Sequence, residues 1–187
     1  MSIAVYRDLI LDRLRDRVPE VLQRYRAAHD LEIPDAPDPA VYLPGPPPLT
    51  SAEGYPAVYV TPLELLSLVR SEVPGEFTAR YRYEAVGFVR GETAPKAAVS
   101  RDALGTVLRA ALISAPRLSD RVLLEPTTVL ERYSAVEPVA GGTLAGIGME
   151  FQLTAHETTY PATPTGTADR INVLVSQAPH HHLEPTE

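Results

Sequence analysis

Cysteine is absent from this 187-residue chain. Disulfide frameworks, thiolate zinc sites and cysteine nucleophiles are therefore excluded, and the chain fits a reducing compartment. Lysine is almost absent too. Lys96 is the only one, and the other basic residues are arginines, which reads mainly as the codon bias of a GC-rich genome. Tryptophan is missing, and aromatics amount to nine Tyr and three Phe. No stretch approaches the ~18–20 apolar residues of a membrane span, so no membrane partner is expected. Met1-Ser2-Ile3-Ala4, with Arg7 and Asp8 close behind, lacks the basic-then-apolar order of a signal peptide. The chain is expected to stay in the cytoplasm where it is made.

Enzyme signatures are also lacking. There is no Gly-x-x-x-x-Gly-Lys phosphate loop, no Gly-x-Gly-x-x-Gly between strand and helix, and no Gly-x-Ser-x-Gly elbow. Gly141, Gly142, Gly146 and Gly148 cluster, but no strand-to-helix switch goes with them. His180, His181 and His182 are adjacent in a polar tail, where they cannot converge on one metal as i, i+4 residues on a helix do. They read as an adventitious metal binder. His29 and His156 stand alone and read as surface or strand-end residues. Asp30, Glu32, Asp35 and Asp38 match no calcium-loop spacing. We expect no catalytic residue, no cofactor and no metal.

What is present is organised for packing. The net charge of −7 argues against a general nucleic-acid binder, whose affinity comes from neutralising phosphates. It permits a protein that lets DNA pass without gripping it. Ile3, Tyr6, Leu9, Ile10, Leu14, Val18, Val21, Leu22 and Tyr25 recur at spacings of three and four, predicting a helix over 3–28. Ser2 is its expected N-cap, and Pro19 either kinks it or opens a second helix. Residues 34–56 carry eight prolines, with Pro46-Pro47-Pro48 extended near polyproline II. This stretch is either a stiff connector or an arm laid on a neighbouring subunit.

A strand is expected at 57–61, while residues 63–73 suit either a helical turn or a strand. Over 76–90, Phe77, Ala79, Tyr81, Tyr83 and Ala85 alternate with Thr78, Arg80, Arg82 and Glu84, with a bulge expected past Gly87. The aromatic face is expected to pack under the second helix rather than stack nucleic-acid bases. That helix is expected at 100–114, capped by Ser100, stopped by Pro116, and burying Leu104, Val107, Leu108, Ala111 and Leu112. Strands at 122–135 and 144–156 are expected to pair as a hairpin across Gly141-Gly142. The second of them buries Ile147, Met149, Phe151, Leu153 and Ala155.

The order α-β-β-α-β-β implies an α+β fold, an antiparallel sheet with helices on one face. Residues 1–156 form the expected assembly domain and 157–187 an extended C-terminal arm. Within that arm Ile171-Asn172-Val173-Leu174-Val175 is β-prone and suits a sheet edge in the same or a neighbouring subunit.

The order and spacing of these elements resemble the tail-terminator and neck (head–tail joining) proteins of long-tailed bacteriophages and related tail-like particles. The resemblance is carried by the leading helix and by the strands at 55–60 and 77–86. The helix at 101–112 and the hairpin of 129–133 with 148–153 complete it. It implies a non-enzymatic structural virion protein, a tail terminator whose six-fold ring caps the tail tube and docks to the head connector. The implied partners are further copies of the chain, the tail tube protein and a connector or stopper protein, with genome DNA passing through the lumen unbound. The implied location is the virion neck, after assembly in the host cytoplasm. The alternatives are another neck or adaptor protein of the same class, or an enzyme with an unrecognised site. Closed head-to-tail rings need two different complementary patches per subunit. Candidate interface residues are Arg80, Arg82, Arg13, Arg17, Pro46, Pro47, Pro48, Ile171, Val173 and Val175.

Overall fold

A computed structural model describes residues 3–28, 39, 41–46, 55–139 and 141–158. The first helix, α1 (Ile3–Ala28), is continuous through Pro19. Its buried line runs Tyr6, Ile10, Leu14, Val18 and Leu22, one residue per turn. Tertiary burial on both sides of Pro19 holds the helix through the hydrogen bond that proline cannot donate. No second helix therefore begins at Pro19. Ser2 lies outside the described residues. No described helix is long and apolar enough to cross a membrane.

The strands are β1 (Val41–Leu43), β2 (Ala57–Arg70), β3 (Glu76–Gly91), β4 (Arg117–Ser119), β5 (Val122–Tyr133), β6 (Glu137–Val139) and β7 (Gly142–Thr158). The second helix, α2 (Ala94–Ile113), falls between β3 and β4. The sheet order is β1-β2-β3-β7-β5-β4, with β6 paired to β7. Every pairing is antiparallel except β1 with β2. The result is an α+β fold whose mixed sheet curls into a half-barrel. The antiparallel character and the two helices agree with expectation, and the strand count and order do not.

Three short strands escaped the sequence reading. β1 lies within the proline-rich stretch, so that stretch is not wholly connector. β4 and β6 are only three residues each, too short to show an alternation. Residues 63–70 are strand, continuing β2. β3 pairs with β7 without a register shift along its length, so no bulge follows Gly87. The pattern shifts there because a Cβ on Gly87 would lie 2.8 Å from Leu104 Cδ2 and 2.9 Å from Leu108 Cδ1. Gly87 keeps its core-facing place, and α2 packs directly on its backbone.

α2 begins earlier than expected. Thr93 is its N-cap, in extended conformation, and Pro95 sits in the first turn where proline is tolerated. Ser100 is inside the helix rather than at its start. The five expected α2 core residues are fully buried, as are Ile147, Met149, Phe151, Leu153 and Ala155 of β7. β5 and β7 pair antiparallel as expected. The positive-φ pair Gly141 and Gly142, however, closes β6 onto β7 rather than joining β5 to β7 directly.

Both helices cover one face of the sheet. Tyr81, Tyr83 and Gly87 share that face of β3 by alternation. Tyr6 of α1 packs against Tyr81 with ring centroids 5.3 Å apart, and the Tyr83 hydroxyl donates to the Ile3 carbonyl at 2.8 Å. Leu104 and Leu108 of α2 meet Gly87. The tyrosines thus pack under the first helix, not the second. Being 8% and 0% exposed, they offer no platform for bases.

Candidate assembly surface

The face of the sheet away from the helices is polar and cross-linked. Arg80 donates to Gln152 Oε1 at 2.9 Å, Arg82 pairs with Glu64, and Thr154 donates to Glu125 at 2.8 Å. His156 Nδ1 lies 3.3 Å from Thr78 Oγ1. On α1, Arg13 donates to the Arg117 carbonyl at 2.7 Å, and Arg17 pairs with Glu20 at 2.6 Å. The four arginines expected at an interface are therefore engaged within the chain. They also do not form one patch, because Arg80 and Arg82 lie on the outer face while α1 lies behind the sheet. Pro46 is exposed just past β1. Pro47, Pro48, Ile171, Val173 and Val175 lie outside the described residues, as do His180, His181 and His182.

Near the middle of the outer face, Glu84 of β3 stands directly opposite Glu150 of β7. Arg132 reaches Glu150 at 2.8 Å. Glycine shapes this spot. A Cβ on Gly148 would lie 2.6 Å from Glu84 Oε1, and one on Gly146 would lie 2.8 Å from the Phe88 ring. These glycines make room for outer-face side chains. Burial, then the Glu150 charge, raises the Glu84 carboxyl above its ordinary value, and Arg132 opposes the shift. The folded chain thus holds this proton more tightly than the unfolded chain. Ionised Glu84 costs stability above its folded pKa, and the cost fades as pH falls toward the ordinary value. Glu84→Gln is expected to stabilise the protein at pH 7 by up to ~1 kcal/mol, the scale of a cross-strand charge contact. In urea melts the gain should shrink on approaching pH 4.

At one end of the sheet, Glu157 Oε1 accepts from the Tyr6 hydroxyl at 2.6 Å and the Tyr81 hydroxyl at 2.8 Å. Burial, then the bond to Glu157, pushes the Tyr81 hydroxyl up to about 12 and raises Tyr6 as well. Both phenols remain donors at neutral pH, so the clamp pins the end of β7 to α1. A shallow depression of about 230 Å³ opens beside it, lined by Ser71, Glu76, Phe77, Arg121, His156 and neighbours. No group of three or more metal-ligating side chains occurs among the described residues.

The feature that sequence reading missed is apolar. β1 covers β2 only at Ala57, Val58 and Tyr59. Beyond that, β2 exposes Leu63, Leu65, Leu66, Leu68 and Val69 at 39–60%, and the following turn exposes Val73 at 52%. By register Leu65 and Leu68 oppose Tyr81 and Ala79, so they continue the helix-side face past the cover of the helices. At the other side of the sheet, β5 exposes Leu130 at 60% and Tyr133 at 51%. Arg101 of α2 stacks over the Tyr133 ring at 5.0 Å. By register Leu130 opposes Glu150 on the outer face while Tyr133 opposes Ile147 on the helix-side face. β5 thus carries two separate exposed apolar side chains, opposite in the sheet to the apolar run of β2.

No family model and no curated protein matches this chain. Among solved structures, a chain described as "Virion of native gene transfer agent (GTA) particle" matches at 17% identity. The match covers 77% of this chain and 95% of that one, with a TM-score of 0.38. A likeness of that size leaves the role of this chain to be argued from its own surface.

Proposed function

We propose that this protein is a non-enzymatic structural subunit of a tailed phage or tail-like particle, and specifically a tail terminator. Copies form a ring that caps the tail tube and docks to the head connector. The observation that carries the reading is the exposed apolar run of β2, with Leu130 and Tyr133 exposed on β5 at the opposite side of the sheet. A closed head-to-tail ring needs two different complementary surfaces on each subunit. Exposed apolar groups concentrated in this way mark contact sites rather than ordinary surface. The sequence resemblance of the two helices and the long strands to tail-terminator and neck proteins supports the same reading.

The lumen of such a ring carries DNA in transit. On the outer sheet face Arg82 and Arg132 are paired to Glu64 and Glu150 and Glu84 lies beside them, so part of its positive charge is already neutralised and phosphates are gripped less. The net charge of −7 acts in the same direction. The direct test is electron microscopy of the purified chain mixed with tail tubes from the particle that its gene accompanies. Rings seated at one tube end are expected. Tubes left open at every protein concentration, with the chain folded, would refute the assignment.

A further inference from the structure

The edge of β2 beyond β1 raises a separate question, because an exposed apolar edge strand invites pairing with any strand it meets. Register shifts after Pro62 and after Leu65 break the first part of this edge. Residues 67–70 then pair regularly with β3, Ser67 with Arg80 through Arg70 with Phe77. That leaves a regular outer edge on the other side of β2, with no described strand against it.

β7 ends at Thr158, opposite Glu76 at the start of β3. The described chain therefore stops at the same end of the sheet where β2 finishes, two strands from that edge. Twelve residues, 159 to 170, precede Ile171-Asn172-Val173-Leu174-Val175. Extended, they reach up to roughly 40 Å, whereas three strand spacings amount to about 14 Å. Direction agrees as well. β7 and β2 both run toward this end, so a chain that turns back along the edge runs antiparallel to β2, the commoner pairing. The tail segment is rich in the β-branched residues that strands favour.

We propose that residues 171–175 add as an antiparallel strand to the outer edge of β2 at residues 67–70 of the same chain. The added strand closes the edge and leaves the apolar side chains on the faces of β2 free for other copies. The proposal concerns the single chain and does not depend on ring formation.

Hydrogen–deuterium exchange on the full-length protein at low concentration tests it, with Val173→Pro and Val173→Ile as variants. Proline removes a backbone donor in the middle of the added strand, and isoleucine preserves the strand. In the wild type and in Val173→Ile, peptides covering residues 67–70 should exchange at least 10-fold more slowly than in Val173→Pro. Peptides of β7 report that the domain stays folded in all three. Equal exchange in wild type and Val173→Pro overturns the proposal. Protection that appears only as protein concentration rises also overturns it, and shows pairing between copies instead.

Discussion

Phe151→Ala is expected to destabilise the protein by about 3–5 kcal/mol, the range for deleting a buried aromatic ring. Phe151 is 1% exposed on β7, the strand that pairs with β3 on one side and with β5 on the other. Its neighbours on the same face, Met149 and Leu153, are completely buried. Strands held on both sides cannot close inward to fill the space left by the ring, so most of the cavity should persist. Against a typical total stability of about 5–15 kcal/mol, the variant keeps at most about four-fifths. The readout is the urea midpoint at constant slope. A loss below about 1 kcal/mol would mean that this layer of the core is not packed as described.

Leu65→Asp combined with Leu68→Asp should act in the opposite way. Both side chains are already half in water, at 50% and 53% exposed. Removing them should change the stability of the single chain by no more than about 1 kcal/mol. In a subunit contact the same positions would bury two carboxylates without partners, at a cost of several kcal/mol. At about 1.4 kcal/mol per tenfold, association should weaken at least about 100-fold, as measured by sedimentation or light scattering. Wild-type association in a folded double variant would remove the β2 patch from the interface.

The contrast between these variants shows which features were legible in the sequence. The core was, because both helices and both long inner strands obey one period throughout. Leu104, Val107, Leu108, Ala111 and Leu112 repeat at helical spacing, and the odd positions from Ile147 to Ala155 alternate. The assembly surface was not. Each register shift in β2 inserts an extra residue, so the side chains on the helix-side face fall at Pro62, Leu65 and Leu68. A spacing of three imitates a helix, and residues 63–70 fit two templates at once.

Arginine drew attention for a sound reason, since guanidinium groups are favoured at interfaces. Nothing in the sequence marks that Arg82 meets Glu64 or that Arg80 meets Gln152, because those pairs depend on strand register. The same holds for Glu84 opposite Glu150, two like charges placed together by the pairing of β3 with β7. The bulge expected after Gly87 had a comparable origin. A missing side chain in an alternating run looks the same whether the strand bends there or a helix presses against it.

Head-to-tail contact between the apolar run of β2 in one copy and the β5 side of the next, at Leu130, is the claim on which the ring depends. The absence of cysteine allows it to be measured directly, by oxidative cross-linking of Leu66→Cys, of Leu130→Cys and of the double variant in protein assembled on tail tubes. The predicted result is that neither single variant cross-links efficiently. A mixture of the two should give dimers, and the double variant should give a ladder ending in one closed species. Efficient cross-linking of either single variant with itself, or no cross-links from the double variant in assembled protein, would contradict it.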